Sequence, residues 1–403
     1  MQWGRRGTRW NLRILFCNYE YPPLGGGGGV VMAAMARVLA TRHEVTVLTS
    51  RAAGLPHQSL DGAVNVVRVP VFFRRQLAVA NVPSMLAYLP SGLWRGLQLG
   101  RERRFDVINT HFAVPSGPLG DWLSRSLRIP NVLSVHGGDL FDPSKKSSPH
   151  RHALLRAAVA RLLRRADVLV AQSQDTQRNV AEIYGVARAV ERVPLGIDRP
   201  PKDERAERGE FDLPADAFVL VTAGRIVTRK ASTQLIDTLV AVPGSVLLVV
   251  GDGPEAGALR QRAAECAVAD RIRMLGYVSD GAKYRAFRVA DLFVSTSQHE
   301  GFGLVFLEAM ACGLPIVCYD RGGQTDFLAT PATGDVVPLN DLTAFNAAVR
   351  ALGADPERRA RIRRNNLAQV ESFFIDRCAE RYERLFERAV LAQQQAAMHL
   401  ERR

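Results

Sequence analysis

The stretch His299–Leu314, HEGFGLVFLEAMACGL, places two glutamates eight residues apart on either side of a glycine-rich turn. The apolar run 291–297, DLFVSTS, precedes it and predicts a buried parallel strand. Gly301 and Gly303 leave the turn without side chains, so backbone N–H groups and a helix N-terminus can face an anion. Two carboxylates around an anion site suit a ligand with hydroxyls at both ends and phosphate in the middle. A nucleotide-sugar is such a ligand.

Other glycine-rich and charged motifs accompany this stretch in a fixed order along the chain. They are Gly25–Gly29, His136–Asp139, Val193–Asp198, Gly224–Lys230, Gly251–Pro254 and Gly322–Gly323. Together with Glu300 and Glu308, this ordered set resembles the retaining glycosyltransferases of family 4, over about residues 12–390. The resemblance implies an α/β protein of GT-B fold. In that fold two Rossmann-like domains face each other across a cleft, and the C-terminal helix crosses back to the first domain.

A chain of 403 residues is longer than a typical single core, so two domains are expected. The polar, proline-bearing stretch 199–211, RPPKDERAERGEF, has the composition of a linker. We place the Rossmann-like acceptor-binding domain at residues 1–198, with 376–403 packing back onto it. Residues 199–375 form the Rossmann-like nucleotide-sugar (donor) domain.

The composition indicates a cytoplasmic protein. No apolar run approaches the roughly 20 residues of a membrane-spanning helix, and the N-terminus does not resemble a signal peptide. Five scattered cysteines without metal-ligand spacing predict buried free thiols in a reducing compartment.

Positive charge is concentrated in the first half of the chain. Residues 1–199 hold 27 Lys and Arg against 13 Asp and Glu, whereas the remainder is almost neutral. We therefore expect an acidic partner for this half, either anionic lipid headgroups or a diphosphate-linked acceptor. Nucleic acid ranks last, because no zinc-finger, basic-zipper or RNA-binding motif is present.

The segment 72–104 mixes apolar residues, including Trp94, with six arginines. We expect one or two amphipathic helices here, broken at Pro83 and Pro90. Two interpretations stay open: contact with a membrane surface or lipid acceptor, placing the enzyme at the inner face of the plasma membrane, and ordinary packing on the N-terminal sheet.

The glycines near the N-terminus follow a strand and precede a helix, which is also the order of a dinucleotide-binding motif. However, a seven-residue loop separates them from the strand, and the second strand (44–49) ends without an acid for a ribose. The resemblance instead implies that Gly27, Gly28 and Gly29 lie over the donor phosphates and the acceptor.

Two histidines, His111 and His136, are predicted at the ends of parallel strands, where open α/β sheets bind ligands. A lone histidine is more often structural, but Gly137 and Gly138 open a backbone approach beside His136. The resemblance implies that His136 contacts the donor sugar and its phosphate, with Asp139 as a second candidate.

Arg225 and Lys230 lie on a turn leading to a helix, and two cations there suit a pyrophosphate. The resemblance implies that this pair holds the donor diphosphate and that Gly253 follows it in a second donor-binding loop. It also suggests Tyr277 and Val278 as contacts to the base.

The resemblance assigns the two glutamates different tasks: Glu308 binds the ribose hydroxyls and Glu300 contacts the donor sugar. The turn residues Gly301, Phe302, Gly303 and Leu304 complete the donor site. Catalysis is then expected from Arg225, Lys230, Glu300 and His136.

The resemblance implies a retaining transfer in which the departing phosphate accepts the acceptor's proton. The chain has no Asp-x-Asp pair, so protein cations are expected to replace a metal, and no metal or cofactor is predicted. The acceptor is expected to be a lipid-linked or growing surface glycan.

Two alternatives come from other classes of protein. One is another nucleotide-sugar or Rossmann-type enzyme, such as an epimerase or a dehydrogenase; the missing ribose acid argues against the latter. The other is a non-catalytic sugar-nucleotide-binding protein. The presence of four charged site residues argues against it: Arg225, Lys230, Glu300 and Glu308.

Overall fold

The computed structural model describes residues 11–72, 74, 81–201 and 206–401. The chain forms two compact units. Unit 1 contains the residues up to Gly196 together with those from Ile375 onward, and unit 2 spans Ile197–Phe374.

Most strands are short apolar runs buried on both faces, as expected of parallel sheets. The strands in the described part of the chain are Arg13–Cys17 (β1), Glu44–Ser50 (β2), Gln58–Asp61 (β3), Val64–Val69 (β4), Val107–His111 (β5), Asn131–Val135 (β6), Val168–Ala171 (β7), Glu191–Arg192 (β8), Phe218–Ala223 (β9), Ser245–Val250 (β10), Ile272–Gly276 (β11), Leu292–Ser295 (β12), Ile316–Tyr319 (β13) and Gly334–Val337 (β14).

Helices fill most crossovers between the parallel strands. Those in the described residues are Gly27–Leu39 (α1), Val82–Glu102 (α2), Ser116–Leu127 (α3), Ala153–Arg165 (α4), Gln174–Glu182 (α5), Gln234–Ala241 (α6), Ala256–Glu265 (α7), Asp280–Val289 (α8), Leu304–Ala311 (α9), Leu342–Ala354 (α10), Pro356–Gln369 (α11) and Ile375–Glu401 (α12).

The sheet of unit 1 has the order β3-β4-β2-β1-β5-β6-β7-β8 among the described residues. All pairs are parallel except β3 with β4. The strand order runs outward in one direction from β1 and in the other from β5. This reversal creates a switch point, and ligands of open α/β sheets bind at such points beyond the strand ends.

The sheet of unit 2 is parallel throughout, with the order β11-β10-β9-β12-β13-β14 in the described part of the chain. Its switch point lies between β9 and β12. Leucine, valine and isoleucine side chains from the strands and from α6, α7 and α10 form its core. The α/β class with two parallel sheets is therefore confirmed.

Helix α2 differs from the sequence prediction, because it continues through Pro90 without a break. Proline removes one N–H donor and crowds the preceding turn, and close packing of the helix offsets this cost. Gly92, Gly96 and Gly100 form one face that leucines of α3 contact so closely that a Cβ there would lie 2.4–2.7 Å from them. Pro83 sits in the first turn, where no N–H donor is needed. Residues 73 and 75–80 of the predicted amphipathic segment lie outside the described residues.

The C-terminal helix α12 belongs to unit 1, as the predicted fold class requires. Its apolar face places the Phe386 ring 6.4 Å from that of Phe16 in β1. Glu383 accepts hydrogen bonds from Arg42 at 2.8 Å and pairs with His43 at 3.0 Å. The helix is therefore held by both apolar and charged contacts.

Two further expectations can be compared with the structure. All five cysteines are free thiols, and four of them are buried. No helix in the described part of the chain combines the length and hydropathy needed to cross a lipid bilayer. Residues 202–205 of the predicted linker lie outside the described residues.

Candidate functional site

The switch point of unit 2 gathers the sequence-predicted donor residues. Gly224–Lys230 follows β9, and Thr296–Glu300 follows β12, the neighbouring strand. A depression at this edge is lined by Thr222, Ala223, Gly224, Arg225, Ile226, Lys230, Ser232, Val249, Val250, Ser295 and Thr296. The predicted phosphate turn and the glutamate loop therefore meet at one edge of the sheet.

Glu300 lies buried between two cations. Its carboxylate contacts Lys230 Nζ and, at 3.2 Å, the guanidinium of Arg229. Burial alone would raise the pKa of Glu300, but Lys230 and Arg229 lower it to about 2. Glu300 is therefore a permanent carboxylate, able to accept hydrogen bonds but unable to act as a general acid at neutral pH.

The turn that carries these cations is bonded to the end of β12. Thr296 Oγ1 donates to the carbonyls of Lys230 (3.1 Å) and Ala231 (3.0 Å), and Ala231 adopts a positive φ of 45°. The Gln298 N–H donates to the Arg229 carbonyl at 2.8 Å. Arg229 itself also donates to the His299 carbonyl. The positions of both cations are thus fixed before any ligand arrives.

Arg225 differs from Lys230, although the sequence predicts them as a pair. Its side chain is exposed and makes no ion pair with any residue that the structure describes. The partner of Lys230 at Glu300 is instead Arg229, which the sequence analysis missed. The turn Gly224–Lys230 contains three cations, and the sequence alone does not show which of them contact Glu300. The contacts at the sheet edge identify Arg229 and Lys230.

Gly253 has a packing role in the structure. A Cβ there would lie 2.1 Å from the Ile226 carbonyl oxygen, and one at Gly251 would lie 2.1 Å from the Gly224 oxygen. Both glycines therefore let the loop after β10 lie against the turn that carries Arg225. Their backbones support the turn Gly224–Lys230.

The glycine turn after Glu300 leads directly into α9. Gly303 is the N-cap with φ 92°, and no side chain caps the helix. The Phe302 ring is buried 5.3 Å from that of Phe327, so it anchors the turn in the core. Gly301 and Leu304 are half-buried on either side. The first turn of α9 therefore has backbone N–H groups that no side chain caps.

Glu308 projects from α9 toward α8. Its carboxylate accepts a hydrogen bond from Lys283 Nζ at 2.9 Å. Burial raises the pKa of Glu308, and Lys283 opposes this shift. Lys283 was not among the sequence-predicted residues, since it lies 25 positions away on another helix. Tyr277, predicted near the base, is 92% exposed.

In unit 1, the glycine-rich turn forms the N-terminus of α1. The Gly26 N–H donates to Glu20 Oε2 at 3.1 Å, and α1 begins at Gly27 without a side-chain cap or an acidic first turn. A Cβ at Gly28 would lie 2.5 Å from Phe112 Cζ. A Cβ at Gly29 would lie 3.2 Å from the Cβ of Glu20. The turn therefore needs glycine for close packing as well as for its open N–H groups.

His136 lies next to this turn through Phe112. The two ring centroids are 4.4 Å apart, and Phe112 has a positive φ of 71°. Burial lowers the pKa of His136 to about 4. Its backbone N–H and that of Ala113 both donate to Asp139, whose pKa burial raises to about 6. Asp139 thus fixes the loop, while His136 is a neutral ring at pH 7.

No cluster of three His, Cys, Asp or Glu side chains with metal-site geometry occurs among the described residues.

Two family models match the chain in succession. One described as Glycosyltransferase Family 4 matches residues 25–199, and one described as Glycosyl transferases group 1 matches residues 203–369. A relative from Streptomyces fradiae, 2-deoxystreptamine N-acetyl-D-glucosaminyltransferase, is 30% identical over 83% of this chain and 84% of its own length. The chain belongs to the group 1 glycosyltransferases of family 4.

A second relative and a solved structure agree with this assignment. GDP-mannose-dependent alpha-(1-6)-phosphatidylinositol monomannoside mannosyltransferase of Mycolicibacterium smegmatis is 28% identical over 86% of this chain and 91% of its own. The structure of Anabaena Alr3699/HepE in complex with UDP-glucose superposes with a TM-score of 0.75 at 21% identity, over 93% and 99% of the two chains. The GT-B fold is thereby confirmed.

Proposed function

We propose that this protein is a retaining, metal-independent glycosyltransferase that moves a sugar from a nucleotide-diphosphate sugar to a glycan or lipid-linked acceptor. The observation that carries the proposal is the buried, ionised Glu300 held by Arg229 and Lys230 at the switch point of unit 2. Unit 1 supplies its glycine turn and His136 to substrate binding.

The charges at this site match the leaving group. The Glu300 carboxylate neutralises one of its two cations, so the turn keeps two net positive charges when Arg225 is included. In the proposed step, the acceptor hydroxyl oxygen bonds to the anomeric carbon and the sugar–phosphate bond breaks. The proton of the hydroxyl passes to the departing phosphate. Arg225, Lys230 and backbone N–H groups at the start of α9 in unit 2 stabilise the negative charge.

Glu300 then has a binding task. Because its pKa is about 2, it accepts hydrogen bonds from sugar hydroxyls and carries no proton to the leaving group. In this proposal Glu308, which pairs with Lys283, accepts hydrogen bonds from the ribose hydroxyls. The relative that is named for GDP-mannose and the neighbour bound to UDP-glucose support a nucleotide-sugar donor.

The experiment compares Arg225→Ala with the wild type for release of nucleoside diphosphate from UDP-, GDP- and ADP-sugars. Turnover should fall at least about tenfold while the fold stays intact, because Arg225 acts on charge that grows in the transition state. The anomeric configuration of the product, read by NMR, should match that of the donor. Unchanged turnover would remove Arg225 from the site, and an inverted product would contradict the mechanism.

We also propose that the enzyme works in the cytoplasm, at the membrane face. On α2, the side opposite the glycine face carries an exposed apolar stripe of Val82, Leu86 and Trp94. A cavity of about 650 Å³ opens beside Trp94. It is lined by His57, Gln58, Val67, Arg68, Val69, Pro70, Pro90, Ser91, Trp94, Arg95 and Gln98. An apolar stripe beside arginines is typical of a helix that contacts an anionic bilayer.

Flotation with vesicles tests this part. Wild type should float with anionic vesicles and less with zwitterionic ones, and the double variant Leu86→Ser, Trp94→Ser should lose binding. Leu60→Ser is the matched control, because Leu60 is 76% exposed and lies on β3 and not on α2. Equal loss in the control, or no flotation of wild type, would contradict membrane contact.

A further inference from the structure

A chain of hydrogen bonds runs behind His136 in unit 1. His136 Nε2 lies 2.9 Å from His111 Nδ1, and His111 Nε2 lies 2.8 Å from Asn109 Oδ1. We propose that Asn109, acting through His111, is a positioning residue that fixes the tautomer of His136 and leaves its Nδ1 as a hydrogen-bond acceptor for substrate. This inference rests on the proposed function, in which His136 binds substrate.

The orientation of the Asn109 amide follows from its partners. Its Nδ2 lies 2.9 Å from the Val132 carbonyl oxygen, which can only accept, and 3.1 Å from Ser134 Oγ. The amide nitrogen must therefore face Val132, and the amide oxygen must face His111. Because an amide oxygen can only accept, His111 Nε2 carries a proton.

The proton on His111 in turn determines which nitrogen of His136 is protonated. Burial keeps His111 neutral by lowering its pKa well below the usual range, so with Nε2 protonated its Nδ1 is bare. A bare Nδ1 can only accept, so His136 Nε2 must donate to it. The neutral His136 ring then has no proton on Nδ1. This atom is buried and has no hydrogen-bond partner among the described residues.

Aromatic packing holds the rings in this arrangement. Phe16 and Tyr382 stack on His111 at centroid distances of 5.8 and 6.1 Å. The Tyr382 hydroxyl donates to Ser134 Oγ at 3.0 Å, which ties the C-terminal helix to the same network. A buried acceptor without a partner is costly in the absence of a ligand, and a hydroxyl or N–H of the substrate would satisfy it. His136 therefore offers a lone pair to substrate and no proton.

Asn109→Asp is the test substitution. A carboxylate beside His111 Nε2–H raises the pKa of His111, and the resulting imidazolium donates from Nδ1 as well. His136 Nε2 must then accept, and its proton moves to Nδ1. Long-range proton–nitrogen NMR of the eight histidines reports the tautomer directly, with His136→Gln and His111→Gln identifying the signals. The expected result is a bare Nδ1 in wild type and a protonated Nδ1 in Asn109→Asp.

Kinetics supply the functional readout. Asn109→Asp should lower kcat/KM for the nucleotide-sugar by about tenfold or more. The protonated Nδ1 of His136 would then face a hydroxyl or N–H of the substrate, and two hydrogen-bond donors cannot pair. Asn366→Asp is the matched control: Asn366 is buried in unit 2 and donates to the Leu314 and Thr333 carbonyls, with no histidine. It should leave the His136 tautomer unchanged and kcat/KM within about threefold of wild type.

The outcomes separate this inference from the proposed function. A protonated Nδ1 in wild type overturns the inference, and this measurement does not depend on the folding of Asn109→Asp. An unchanged tautomer in folded Asn109→Asp, measured at a pH at which the introduced carboxyl is ionised, also overturns it. If the predicted tautomers are found but no nucleotide-sugar is turned over, the proposed function fails while the hydrogen-bond assignment stands.

Discussion

Replacing Glu300 by glutamine tests the electrostatics of the donor site. The pKa of Glu300 falls from its ordinary 4.5 to about 2 in the folded protein. Since one pKa unit corresponds to about 1.4 kcal/mol, the ionised carboxylate contributes about 3 kcal/mol to stability at neutral pH. Glu300→Gln removes this contribution and leaves Arg229 and Lys230 without their counter-charge. We expect the free energy of unfolding of unit 2 to fall by about 3 kcal/mol at pH 7.

The pH dependence has a definite sign. Because the folded-state pKa lies below the unfolded one, the stabilisation is fully present above about pH 5 and is lost as pH falls toward about 2. The difference between wild type and Glu300→Gln should therefore be constant from pH 8 to about pH 5 and shrink below it. A difference that grew with acidification would refute this assignment of charge.

The assay must distinguish the two units. All four tryptophans precede Gly196, so tryptophan fluorescence follows unit 1 and serves as an internal reference. Native-state hydrogen exchange of β12 gives the opening free energy of unit 2. Glu371→Gln is the matched control, because Glu371 pairs with Arg199 at 3.0 Å while 59% exposed. The control should change stability by less than about 0.5 kcal/mol. Equal effects of both substitutions would refute the reasoning.

Two other substitutions test the supports of the site. Gly253→Ala should destabilise unit 2 by about 1–3 kcal/mol, because the new Cβ would meet the Ile226 carbonyl, whereas Gly257→Ala, with open space around it, should be neutral or stabilising in urea unfolding. Lys283→Met should let burial raise the pKa of Glu308 further. On acidification, the affinity for the nucleotide-sugar, measured by calorimetry, should then begin to weaken at a higher pH in Lys283→Met than in wild type; the same onset in both would contradict the pairing.

Most of the fold could be predicted from the sequence because the buried parallel strands are short, mainly apolar runs. The predicted strands at 44–49 and 291–297 correspond to β2 and β12. The short strands β3, β8 and β14 were missed, because their partners and not their composition make them strands. The break expected at Pro90 was wrong, because the glycine face of α2 packs on α3 and maintains the helix.

The site was predictable where a motif places residues on one turn. Glu300 and Lys230 were found in this way, and the structure brings them into contact. Arg229 was missed because neighbouring cations on a turn look alike in sequence, and only the fold decides which one faces Glu300. Lys283 was missed for a different reason, since it reaches Glu308 from another helix.

Asn109 illustrates the limit of sequence reasoning in unit 1. Within the strand β5 it reads as a polar interruption of an apolar run. Its significance depends on the register that places it beside Val132 of β6 and on the histidine two residues later. A pattern along one strand does not contain this information.

A thermal-shift screen of the purified protein tests whether the site in unit 2 binds a nucleotide-sugar without a metal. UDP-, GDP- and ADP-sugars would be compared with NAD, each with and without Mg²⁺. A ligand at a hundred times its Kd adds about 2.7 kcal/mol to the native state and raises Tm. We expect Tm to rise with one class of nucleotide-sugar, independently of Mg²⁺, and to rise less in Arg225→Ala. A rise with NAD alone, or one that requires Mg²⁺, would contradict it.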